Sequence, residues 1–136
     1  MKIVVKYYSR GGNTKKLAQA IAAAIGEAAT PVSEPLEEEA DILFLCNSVY
    51  WAGANGKVKD FLNANASKIK KLVNVSSAGM IESTYKQIKS FAEKKGILVD
   101  TREFHCRGSF MGMHKGKPDD ADLQAVADFA KEVLNG

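Results

Sequence analysis

The sequence predicts an α/β protein, a parallel β-sheet covered by helices on both faces, and three observations carry that prediction. Strand-like and helix-like segments alternate about five times along the chain, the pattern of a sheet built from crossover units. The run Ile42-Leu43-Phe44-Leu45-Cys46 is apolar without a break, as a strand buried on both faces requires. The 136 residues suit one domain, long enough to bury roughly 68% of the surface exposed by the unfolded chain. No internal repeat or linker interrupts residues 1–136, so a single domain is expected.

The elements follow in order. Ile3-Val4-Val5, continued by Tyr7-Tyr8, reads as a buried strand cut off by Ser9-Arg10-Gly11-Gly12-Asn13-Thr14. Leu17, Ile21 and Ile25 recur every fourth residue in an alanine-rich helix that Gly26 closes. Residues 27–40 carry a weak signal, with one short edge strand expected near Pro31–Ser33. After the apolar run at 42–46 comes a loop from Asn47 to Gly56, then a short helix around Val58, Phe61 and Leu62. Leu72-Val73-Asn74-Val75 is the next strand, and Tyr85, Ile88 and Ala92 mark one face of a helix stopped by Gly96. Ile97 to Phe104 reads as one long strand whose charges suit a sheet edge. Pro118-Asp119-Asp120 starts the last helix, with Leu123, Val126, Phe129 and Val133 toward the core.

Composition narrows the function classes. With 46% hydrophobic and 26% charged residues, 11 Gly and 3 Pro, the chain is neither collagenous nor low-complexity. The 19 basic and 16 acidic residues give a net charge of +3, and short clusters such as Lys68-Ile69-Lys70-Lys71 read as solvated helix ends. Without a dense basic stripe interleaved with aromatics, no nucleic-acid partner is expected. Cys46 and Cys106 have neither metal-site nor redox-pair spacing and are expected to be free thiols. His105 and His114 likewise lack ligand spacing and are expected to be structural or exposed. The opening Met1-Lys2-Ile3-Val4-Val5 is too short for an apolar signal region, and no run approaches a membrane span. A cytoplasmic protein without a membrane partner is expected.

In a parallel sheet of this kind, ligands bind beyond the carboxyl ends of the strands, here loops 9–14, 47–56, 76–80 and 105–117. The first is the most specific feature. A glycine-containing turn between strand and helix brings backbone N–H groups to a helix N-terminus, where an anion is stabilised by donors and dipole. Gly11 and Gly12 allow close backbone approach, Ser9, Asn13 and Thr14 add polar groups, and Asn13 or Thr14 is expected to cap the helix. The bland alternative is a tight turn before a capped helix. No G-x-G-x-x-G occurs, and Gly56-Lys57 lacks the rest of a nucleotide P-loop.

The run Tyr7-x-Ser9-x-x-Gly12-x-Thr14-x-x-x-Ala18-x-x-Ile21 resembles the FMN-phosphate signature of the flavodoxin family, departing from it only at Lys6, usually an apolar strand residue. The resemblance extends over essentially the whole chain. It implies a flavodoxin-like three-layer sandwich with a five-stranded parallel sheet in the order 2-1-3-4-5. It also implies FMN as cofactor, with Ser9, Arg10, Gly11, Gly12, Asn13 and Thr14 around the phosphate. Ser48, Val49, Tyr50, Trp51, Ala52 and Gly53 are similar to the family's first flavin-ring loop, where Tyr50 or Trp51 could stack on the ring. Ala52 or Gly53 would offer a small-residue peptide carbonyl to the flavin N5–H. Ser76, Ser77, Ala78 and Gly79 resemble the segment on the pyrimidine side, and Cys106-Arg107-Gly108-Ser109-Phe110 resembles a variant found in a subset of the family, the bland alternative being that Arg107 is simply a rim charge.

No acid–base or nucleophile constellation emerges, which suits a cofactor that brings its own redox chemistry. The resemblance therefore implies a short-chain flavodoxin, a monomeric electron carrier between redox partner proteins, one donating and one accepting. The alternative is an FMN-dependent NAD(P)H or quinone reductase on the same fold, which the short chain disfavours. Lys57, Arg107, His114, Lys115 and Lys117 in the neighbouring loops predict a less negative potential for the second electron than is usual in the family. The mild positive charge predicts partners more acidic than those of the family's typically acidic members.

Overall fold

The sheet is parallel throughout and runs β2-β1-β3-β4-β5, with a sixth strand also paired to β4. The structure, a computed structural model, describes residues 1–9, 12–48, 56–78, 83–107 and 116–136. The strands are β1 (Ile3–Tyr7), β2 (Ala29–Pro31), β3 (Ile42–Asn47), β4 (Lys71–Ala78), β5 (Leu98–Val99) and β6 (Phe104–Arg107). The helices are α1 (Asn13–Ile25), α2 (Gly56–Asn65), α3 (Tyr85–Glu93) and α4 (Asp120–Asn135), with a short 3-10 turn at Ala66–Lys68. Gly26 and Gly96 follow α1 and α3 with φ of 74° and 82°, a left-handed turn that glycine adopts without a Cβ penalty.

Side-chain alternation on the strands sorts the core into two layers. Val5, Phe44, Cys46, Val73 and Val75 pack with Leu17 and Ile21 of α1 and with Val126 and Val133 of α4. Leu43, Leu45 and Leu72 point the other way and pack with Val58, Phe61 and Leu62 of α2 and Ile88 and Ala92 of α3. β3 is buried at all six positions, as its unbroken apolar run requires.

Two expected elements are corrected. The edge strand lies at Ala29–Pro31, not Pro31–Ser33. It ends at Pro31 because the chain turns there, Glu34 N–H donating to the Pro31 carbonyl at 3.1 Å. The long strand expected over Ile97–Phe104 is two short ones. β4 advances from Leu72 to Val75 while its neighbour advances from Val99 to Phe104, so two extra residues loop out. Asp100 closes that loop, its carboxylate accepting from Arg102 N at 2.9 Å, Nε at 3.2 Å and Nη2 at 2.8 Å. Lys71 Nζ adds an ion pair at 3.3 Å. The charges that read as edge decoration are the turn itself.

Candidate functional site

The carboxyl ends of β1, β3 and β4 open on one edge of the sheet, and Ser9, Ser48 and Ser76-Ser77 stand there. Gly12 begins α1 with φ 89°, and a Cβ placed on it would meet nothing within 4 Å, so backbone conformation rather than crowding calls for glycine. Its N–H donates to Ser9 Oγ at 2.8 Å, which folds the loop back on the end of β1. The N-cap position of α1 is Gly12, where Asn13 or Thr14 was expected. Being glycine, the N-cap offers no side chain to the first turn, which holds no carboxylate. Thr14, 1% exposed, instead lies with its Oγ1 3.1 Å from Ser77 Oγ, tying the helix start to the end of β4. A helix start with a glycine N-cap and no acidic side chain in its first turn suits an anionic group.

At the end of β3, Ser48 is buried and its hydroxyl has no hydrogen-bond partner among the described residues. A buried hydroxyl left without a partner costs about 1–3 kcal/mol, so this position suits a ligand polar atom. Beneath it lies a polar cluster. Asn47, Asn74 and Thr84 are all at most 1% exposed and bond to one another. Sequence reading missed Asn74 and Thr84 as site-supporting residues. The available signal was an amide at Asn74 inside an otherwise apolar strand run, on the side that carries Leu72.

Lys6, the departure from the phosphate signature, is 4% exposed yet leaves β1 intact. Its ammonium donates to the Glu34 carbonyl at 2.7 Å and the Pro31 carbonyl at 3.5 Å and sits 5.8 Å from the centre of the Phe61 ring. Desolvation by burial lowers its pKa from the usual 10.5. Above this anchor, a cavity of about 590 Å³ is walled by Tyr7, Tyr8, Ser9, Pro31 and Phe61, among others.

Of the expected cofactor residues, the structure brings Ser9, Gly12, Asn13, Thr14, Ser48, Ser76, Ser77 and Ala78 to this edge. Arg10, Gly11, Val49, Tyr50, Trp51, Ala52, Gly53 and Gly79 lie outside the described residues, as do His114 and Lys115. Lys117, expected among the cations near a flavin, is taken up elsewhere. It donates to Asp119 at 2.9 Å and lies 3.3 Å from Asp122, the two residues of the α4 capping box. His105 pairs with Glu103 at 2.7 Å on the exposed edge. Cys46 and Cys106 are free thiols. Burial raises both thiol pKa values, that of Cys106 to about 12 with the nearby Asp122 contributing, so neither is a ready nucleophile.

The family model described as a flavodoxin domain matches residues 4–112. An uncharacterised protein of Methanocaldococcus jannaschii is 26% identical over 98% of this chain and 99% of its own. Among solved structures, a flavodoxin from the domain Archaea superposes with a TM-score of 0.80 at 21% identity, covering 99% of this chain and 97% of that one. Oxidised flavodoxin 1 from Bacillus cereus gives 0.75 at 18% identity, covering 99% and 98%. Rubredoxin oxygen:oxidoreductase from Desulfovibrio gigas also gives 0.75, at 13% identity, with 98% of this chain matching 35% of that larger one.

Proposed function

The chain belongs to the flavodoxin family, and from that premise we propose that it is an FMN-binding, low-molecular-weight electron-transfer protein. The observation that carries the reading is the start of α1, a left-handed Gly12 turn bonded to Ser9 with no carboxylate in the first helical turn. The unpartnered Ser48 hydroxyl at the end of β3 supports it independently. Bound FMN would supply the one- and two-electron chemistry, and the protein binding, orientation and electrostatics. The phosphate is assigned to the 9–14 loop, with Arg10, Gly11 and Asn13 joining the residues above. The flavin ring is assigned between the loop of Ser48, Val49, Tyr50, Trp51, Ala52 and Gly53 and that of Ser76, Ser77, Ala78 and Gly79. Thr14 and Ser77 act first on each other, holding the two loops together through a buried contact.

In this reading the protein is a cytoplasmic monomer exchanging electrons with protein partners. Its +3 charge favours acidic faces on them. Purified protein incubated with FMN is expected to show flavin absorbance and to quench flavin fluorescence. Protein that does neither refutes the assignment. The second reading, an FMN-dependent NAD(P)H or quinone reductase, is favoured by one observation, the 590 Å³ cavity beside Ser9, which has room for a small planar substrate. Steady-state NAD(P)H oxidation with a quinone acceptor separates the two. The carrier is expected to turn over only when a separate reductase is added.

A further inference from the structure

Asn47, Asn74 and Thr84 form a closed ring of hydrogen bonds. Asn47 Nδ2 donates to Asn74 Oδ1 at 2.8 Å, Asn74 Nδ2 donates to Thr84 Oγ1 at 3.0 Å, and the Thr84 hydroxyl donates to Asn47 Oδ1 at 2.6 Å. Each side chain gives one bond and receives one, all in the same sense around the ring, an arrangement in which each bond polarises the next. Asn47 Nδ2 also lies 3.1 Å from the Leu45 carbonyl, and the Thr84 N–H points to Ser76 Oγ at 3.4 Å. The strand positions two residues before Asn47 and Asn74 are Leu45 and Leu72, both fully buried apolar side chains. Cohesion of the sheet would be served as well by continuing that pattern. Apolar packing has no direction, whereas a hydrogen-bond ring has one geometry in which all of its polar groups are satisfied.

The ring joins three places in the chain. Asn47 is the last residue of β3, next to Ser48, where the first flavin-ring loop departs. Thr84 immediately precedes α3, where the connection that follows Gly79 returns. Asn74 lies on β4 between them. We propose that the Asn47–Asn74–Thr84 ring is a positioning device for the flavin ring. It holds the roots of the two loops at a fixed separation, and so sets the affinity for the isoalloxazine and the potential of its second electron without touching it. This rests on the FMN reading above.

The test replaces Thr84 by Val, which keeps the shape and deletes both of its ring bonds, and by Ser, which keeps the hydroxyl. Affinities for FMN and for riboflavin, and the potential of the second electron, are measured well below the unfolding transition. Thr84→Val is expected to weaken FMN and riboflavin by the same factor, about tenfold, because the freed loop roots spend only part of their time in the binding-competent arrangement, and to shift the potential. Thr84→Ser is expected to restore both. A folded Thr84→Val with unchanged riboflavin affinity and unchanged potential overturns the proposal, since a purely structural role would lower stability alone. If Thr84→Val does not fold, Thr84→Ala is read in the same way. Failure of both to fold overturns the proposal too, because a device that only positions the flavin is dispensable for folding. Wild-type protein that binds neither flavin removes the FMN reading along with it, a result distinct from a wild type that binds and a variant that matches it.

Discussion

On the α1–α4 side of the sheet the core runs apolar from Val5 and Phe44 through Val73 and Val75, and at its top Thr14 touches Ser77. On the α2–α3 side, the same strands bury an ammonium at Lys6, the amides of Asn47, Asn74 and Asn65, and the hydroxyls of Ser76 and Thr84. The outer surfaces differ as well. α4 displays Asp120, Asp122, Asp128 and Glu132 against a single Lys131, while α3 and its end display Lys86, Lys89, Lys94 and Lys95 against Glu93. The first side follows the hydrophobic effect alone. The second accepts the cost of buried polar groups to fix loops, the 31–36 segment through Lys6 and the loop roots beyond β3 and β4 through the ring. Both faces bury an apolar layer, but the buried polar groups that fix loops gather largely on the α2–α3 face.

The largest effect is expected on the apolar side. Phe44, fully buried in that layer, is expected to cost about 3–5 kcal/mol on replacement by Ala, read as a lowered urea midpoint. A loss below about 1 kcal/mol would show that this side does not dominate stability.

A smaller effect tests the charges at its foot, where Arg102 lies near Gly136 at the end of α4. Arg102 holds the Asp100 carboxyl at about 2, against an ordinary 3.8. The folded state therefore favours the ionised carboxyl, so its contribution is complete above about pH 4 and is lost as pH falls toward 2. Asp100→Asn is expected to lower stability by about 1 kcal/mol at neutral pH, a figure reduced for the solvent that reaches Arg102. The difference from wild type should vanish near pH 2. A gap that persists in acid would mean that the turn, not the charge, is what matters.

The smallest effect is expected where the two sides differ most in chemistry. Lys6→Met removes the desolvation cost of the ammonium together with its bonds to the Pro31 and Glu34 carbonyls. These oppose each other, so the net change at neutral pH should stay within about 1 kcal/mol. Folding lowers the lysine's pKa, so wild type should gain on the variant as pH rises toward 10.5, where the unfolded chain still binds the proton that the folded one has begun to release. Thermal melts across alkaline pH check the sign. A loss above about 3 kcal/mol would make the buried ion a net stabiliser.

Much of the apolar side was legible in the sequence. The Leu17–Ile21–Ile25 spacing, the 42–46 run and the Asp119-started α4 each name a face and a period, and local rules suffice for them. The turn at Gly12 was legible too, because a glycine between a strand and a helix start readily takes the left-handed conformation found there. On the α2–α3 side the apolar contacts at Val58, Phe61, Leu62, Ile88 and Ala92 were legible as well, but the buried polar groups were not. Asn74 reads as a flaw in a strand, Thr84 as a turn residue and Lys6 as a misfit, because their partners are 10 or more residues away along the chain.

The sequence by itself therefore determined the alternation of strands and helices, the apolar layers and the glycine turn that begins α1. Those depend on periodicity and on backbone conformations set within a few neighbouring residues. Only the tertiary structure decided that Thr14 would turn to Ser77 rather than cap its helix, that Asp100 would break the fifth strand, and that Asn47, Asn74 and Thr84 would close a ring. The Asp100 turn also needs Lys71 from the neighbouring strand, and the other two depend on which buried polar groups come within 3 Å or so of one another. A buried donor takes the best acceptor in space, whatever its distance in sequence.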